Sequence, residues 1–339
     1  MNKQTGGDRS NDISRRDFLK RAALGAAAVS LGGFASGLPS PSLGATQDAG
    51  QQKKAMVVDA RSPYWRVDGK INAEKIKAMI DYGIKRLANK QDATEAWKLV
   101  AGPDQVVGVK FNDLSYNYTN ANQAILDAIV AGLTAAGVKK ENIIVAEAVG
   151  AEWQGGKRPE RNPLSDPMEV APGRTTRLTK FITEQVDVLI NVPNIKDHGG
   201  AGITGCLKGL SHSRTIMENP GPFHDNACAP GIVGINKLEP IRAKRRVNIV
   251  NGLLAIYDGG PDPQRNQWEH NGLLFATDPV ACDRVQIEII DAERKRRGLR
   301  SLSERGSKPV HVEQAAKAGL GIADLDQIDW IKVEEKAEG

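Results

Sequence analysis

Residues 191–213 read NVPNIKDHGGAGITGCLKGLSHS and bring together two lysines, two histidines, a cysteine and five glycines. Glycine-rich backbone entering a helix can hold an anion, because unpaired amides and the helix dipole point at the same place. Lys196 and Lys208 are the candidates to hold substrate charge, and His198 is a candidate general base or metal ligand. Thr204 and Gly205 are candidates to line a cofactor site. The plainer reading is that the glycines permit close packing and the lysines are solvated.

Gly200 to Gly205 spells G-x-G-x-x-G, and Asp225 follows twenty residues later. The dinucleotide fingerprint needs its first glycine in the turn directly after a strand, whereas Pro193 to Gly199 intervene here. No strand candidate ends near Asp225 either. A P-loop is excluded because Cys206, not lysine, follows Gly205.

His198, His212 and His224 fall within 27 residues. Imidazoles with a carboxylate suit a divalent metal, so His198, His224 and Asp278 form the candidate ligand set. Cys206, Cys228 and Cys282 with His224 are the weaker alternative, for zinc or an iron–sulfur cluster. Each cysteine can equally be a small buried apolar residue. Asp278 and Pro279 suit a helix start, as cap and first residue. Asp283, one turn further in, is not used by that cap and is a candidate catalytic residue near a strand end. Asp258 and Asp262 are turn residues that could also be ligands, and Arg294 to Arg297 read as a solvated helix end.

Positioning these residues requires strands between helices. Helical spacing covers Ala73 to Leu87, Ala93 to Val100, Asn122 to Ala136, Thr175 to Glu184, Pro279 to Arg297 and Val312 to Ala318. Strand-like runs are Val106 to Phe111, Ile143 to Ala146, Val186 to Val192, Val247 to Val250, Leu273 to Thr277 and Trp330 to Val333. Lys110 and Asn112 end the first of these, and Glu147 follows the second. Continuous apolar strands between helices predict an α/β fold, a mainly parallel sheet with helices on both faces in a single large domain.

Ser14-Arg15-Arg16-Asp17-Phe18-Leu19-Lys20 matches a twin-arginine export signal, with small residues near Ala45 for cleavage. The division predicted is a signal peptide over 1–45, a linker over 46–55 and the α/β domain over 56–339. The expected location is periplasmic or otherwise extracytoplasmic, and the export machinery is the expected partner. The weakly apolar stretch from Ala22 to Leu38 is broken by four glycines and makes a poor permanent membrane span. Six basic residues against three acidic ones lie before Ala45, so much of the formal charge of +5 belongs to the signal, and nucleic-acid binding is not implied. Three cysteines cannot all pair within one chain, so free thiols or ligands are expected.

Val109-Lys110-Phe111-Asn112, Asn191 to His198, Thr204 to Gly209, Ile249 to Gly252 with Gly259-Gly260-Pro261, and Asp278 to Asp283 together resemble the family called domain of unknown function 362. The resemblance runs from about Val106 to Val333. It differs at Asn194, Gly209 and Asn251, where lysine, asparagine and aspartate are usual. The ferredoxin-like module of some relatives is absent, as the sequence has no Cys-x-x-Cys. The resemblance implies a pattern of fold and no reaction. Two functions remain as expectations: an exported enzyme binding an anionic small molecule, with metal assistance open, or a cell-envelope binding or accessory protein for a redox system.

Overall fold

The computed structural model describes residues 54–112, 121–261, 266–306 and 308–335. The signal segment, most of the linker and Asp262 lie outside them. β1 (Ala55–Arg61) leads to a small hairpin, β2 (Arg66–Val67) with β3 (Lys70–Ile71), then to α1 (Ala73–Ala88) and α2 (Ala93–Lys98). β4 (Val107–Phe111), α3 (Ala121–Ala135) and β5 (Ile143–Ala146) form the first β-α-β passage. A second hairpin, β6 (Met168–Ala171) with β7 (Arg174–Thr176), precedes β8 (Val188–Val192), β9 (Asn194–His198), β10 (Gly202–Ile203) and α4 (Gly205–Gly209). The chain finishes with α5 (Ala229–Lys237), α6 (Glu239–Lys244), β11 (Arg245–Ile256), β12 (Gln267–Trp268), β13 (Gly272–Ala276), α7 (Pro279–Arg296), α8 (Val310–Lys317) and β14 (Ile328–Glu334).

The main sheet runs β14-β1-β13-β11-β8-β4-β5. β4 is parallel to β5 and β8, β8 to β11, and β1 to β14. β13 alone on this path reverses, antiparallel to both β1 and β11. The short return through β12, itself antiparallel to β11, puts β13 beside β11 without a crossover. The sheet is therefore mixed but mostly parallel.

Alternate side chains of each strand serve opposite faces. In β1, Val58 and Ala60 join Ile80, Trp97 and Ile129 of α1, α2 and α3, while Val57 packs with Ile232, Ile290 and Val312 of α5, α7 and α8. A third cluster around Phe181, Ile235 and Ile241 closes the end of the sheet near β5 and β8. Helices thus cover both faces of one α/β domain. Among the described residues no helix is long and apolar enough to cross a membrane.

Two expectations are corrected, and one strand is added. The helix predicted over Thr175 to Glu184 is instead β7 followed by a single π-helical turn, Phe181–Gln185. Gly173, at φ +70°, makes the tight turn that folds β7 back on β6. Pro193 to Gly199, which shows no strand-like run, contains β9: it pairs with the far half of β11 after a break in register, and the Asn251 amide donates to the Pro193 carbonyl at 2.7 Å. Arg294 is buried, not solvated, and its guanidinium donates to Tyr257 O and Asp258, each at 2.7 Å.

Candidate functional site

All five residues of α4 are buried, and so short a helix cannot satisfy its own backbone. Side chains do it instead. The amide of Cys206 donates to Asp283 Oδ1, and that of Leu207 to Asp283 Oδ2 at 3.0 Å. Asn191 donates to the Cys206 carbonyl at 3.1 Å and Asn236 to the Leu207 carbonyl at 2.9 Å. Gly205 is required here: its φ is +58°, and a Cβ would lie 2.4 Å from Asp283 Oδ1. The anion at the start of this helix is the chain's own carboxylate. Burial pushes the Asp283 carboxyl up to about 7, against the pull of the Cys206 and Leu207 amides.

Lys208, held on α4, enters a cluster at the carboxyl ends of the parallel strands. Its side chain makes no ion pair with a carboxylate among the described residues, and burial brings its pKa down to about 8, with Cys228 opposing and Lys110 reinforcing that shift. Lys110, at the end of β4, pairs with Glu147 at 3.0 Å just beyond β5, and the Ser213 hydroxyl also donates to Glu147. Burial raises the Glu147 carboxyl, but Lys110 and these donors together hold it below its ordinary value. Lys196, from β9, donates to Asn112 Oδ1 at 3.2 Å.

His198 is half-buried at the end of β9. Its Nδ1 accepts from the Gly200 and Ala201 amides at 2.9 and 3.1 Å, so the neutral ring carries its proton on Nε2. Burial, then Lys208 and Lys196, bring its pKa to about 3. The ring therefore offers a hydrogen-bond donor at neutral pH. His212 and, from α8, His311 are likewise held neutral at about 3 by burial and by Lys208. His311 has no counterpart in the sequence reading, because α8 shows only an amphipathic pattern.

The predicted residues divide between two places. Lys196, His198 and Lys208 come together, and His224 approaches from the loop before α5. Asp283 belongs to the scaffold of α4. Asp278 caps α7: its Oδ1 accepts from Val280 and Ala281 at 2.8 and 2.9 Å, and its Oδ2 from Ile322 at 2.9 Å. Thr204 is buried with its hydroxyl unpartnered. Cys206 and Cys282 lie together against Gln286, whereas Cys228 borders Gly200 near His198. Among the described residues, the histidines and cysteines that converge are His212, His224 and Cys228. Asp258 is paired with Arg294.

Fold and site together define an α/β protein with a buried lysine and histidine cluster at the ends of its parallel strands. Residues 164–288 match a family model described as Domain of unknown function (DUF362). The matched span takes in β8 through α4, the loop before α5, β11 and the start of α7, but not Lys110 or Glu147. No curated protein matches the chain.

Asp283→Ala strands two buried amides and is expected to cost about 2–4 kcal/mol in urea unfolding. The pH dependence has a fixed sign. The folded value of about 7 lies above the ordinary 3.8, so the native state keeps the proton longer and this group's stabilisation is lost as pH rises through that window. Asp283→Asn is expected to remove that slope from a stability profile between pH 4 and 7; a slope left unchanged would place the titration elsewhere.

Proposed function

We propose that the Lys208 pocket binds a small anion, such as phosphate or a carboxylate, and that the protein is an exported enzyme acting on it. The observation that carries this reading is a lysine, Lys208, only 6% exposed and with no carboxylate partner among the described residues. Lowering its pKa from 10.5 to about 8 corresponds to roughly 3 kcal/mol against the charged form. An anion about 4 Å away, at an effective dielectric near 20, returns about 4 kcal/mol. Binding would therefore offset the cost of burial.

The His198 Nε2–H adds a donor whose direction is fixed by two backbone amides. A lysine near pKa 8 can give up a proton close to neutral pH and regain it, which suits general acid–base catalysis and supports an enzyme over a passive binder. Export rests on Ser14 to Lys20 alone.

Inorganic phosphate is expected to raise the Tm of the wild type, with about 2.7 kcal/mol of stabilisation at a hundred times Kd. Lys208→Met should abolish the response. No shift in the wild type, or an equal shift in the variant, would contradict the anion reading. Residues 1–45 fused to a reporter should direct it out of the cytoplasm, and Arg15→Lys with Arg16→Lys should retain it there; unchanged export of the double variant would remove the twin-arginine assignment.

A further inference from the structure

Beside the lysines lies a second group of side chains that anion binding does not use. A ligand atom from each of His212, His224 and Cys228 lies within 4.8 Å of the others. The two imidazoles stand edge to face, with centroids 4.8 Å apart. His212 Nε2 is 2.9 Å from the Phe223 carbonyl, and His224 Nδ1 is 3.0 Å from the Pro220 carbonyl. A carbonyl oxygen only accepts, so both of these nitrogens carry protons. The lone pairs left are on Nδ1 of His212 and Nε2 of His224. An imidazole whose second nitrogen donates to a backbone carbonyl is the usual state of a metal-bound histidine.

The backbone of this loop is held in an unfavourable shape that delivers the thiol. Asn226, Ala227 and Cys228 have φ of +47°, +57° and +59° in succession, each costing about 1–3 kcal/mol for a residue with a Cβ. Arg174 clamps Asp225 through both carboxylate oxygens at 2.9 and 3.0 Å and covers the Phe223 ring. The loop carrying His224 is thereby fixed from outside, and Cys228 Sγ lies 3.7 Å from the His224 carbonyl oxygen.

We infer that His212, His224 and Cys228 form a binding site for a divalent transition metal of the zinc and cobalt type, a set distinct from His198, His224 and Asp278. Two imidazoles and a thiolate suit such ions, and three protein ligands leave a fourth position open. Bonds of about 2.0–2.3 Å put tetrahedral ligand atoms about 3.5 Å apart, so shifts of about 1 Å complete the site. On binding, the thiol proton leaves to solvent and a metal–sulfur bond forms. Ser211, whose hydroxyl is 2.8 Å from His212 Nδ1, releases that nitrogen and turns to the Lys208 carbonyl, 3.3 Å away. Lys208 lies near enough for its charge to act on both His212 and Cys228. The site does not depend on the anion reading.

Cobalt(II) chloride titrated into the purified protein is the test, read by absorption. The wild type is expected to show a near-ultraviolet thiolate-to-cobalt charge-transfer band that saturates and is displaced by zinc. Cys228→Ser should abolish the band, and His224→Ala, at an exposed position, should weaken cobalt binding at least tenfold while the far-ultraviolet circular dichroism is unchanged. Absence of the band in the wild type, its persistence in Cys228→Ser, or unchanged affinity in His224→Ala would overturn the site. The phosphate-induced shift in Tm of metal-free protein is measured in parallel, so that failure of the metal site and failure of the anion reading are told apart.

Discussion

A five-residue helix buried on every side stands only if other parts of the chain supply its hydrogen bonds, and in this protein Asp283 supplies the critical pair. Its carboxylate receives the first free amides of α4, while Asn191 and Asn236 serve two of the carbonyls. The arrangement ties α4 to β8, α5 and α7 at once. Lys208 projects from the helix so fixed and lies buried in the cluster of lysines and histidines.

The same logic extends around the pocket. Arg305 bonds Asp197, the His198 carbonyl and the Gly202 carbonyl, fixing the β9–β10 hairpin that carries Lys196 and His198. Arg174 does the equivalent for the loop before α5. Ion pairs and caps thus form a frame, and the groups that gather around Lys208 are Lys110, Lys196 and the imidazoles of His198 and His212. Glu147, the carboxylate identified in this cluster, is engaged by Lys110 and Ser213. That asymmetry favours a negatively charged ligand over a cationic one in the lysine half of the site.

The apolar runs of β4, β5, β8 and β13 were legible because buried strands between helices read as continuous hydrophobic segments. β9 was not, because Lys196, Asp197 and His198 are polar and Pro193 interrupts the run; Lys196 and Asp197 are buried by pairing, not by hydrophobicity. α5 opens Ala-Pro-Gly after a left-handed Cys228, a start that no capping pattern announces. Asp283 stands apart from the cap of its own helix, yet its partners lie 77 and 76 positions away and no local pattern reveals them. Lys196, His198 and Lys208 were legible as a group because they share one short segment. Cys228 and His212 were visible as residue types, but their meeting with His224 depends on a strained loop.

The central claim is that α4 delivers a buried cation to an anion-binding pocket. A crystal soaked in selenate and measured at the selenium absorption edge tests this most directly. The account predicts an anomalous peak within hydrogen-bonding distance of Lys208 Nζ and the His198 Nε2–H. Selenate found only on exposed arginines and lysines, with the Lys208 pocket empty at full soak, would contradict it.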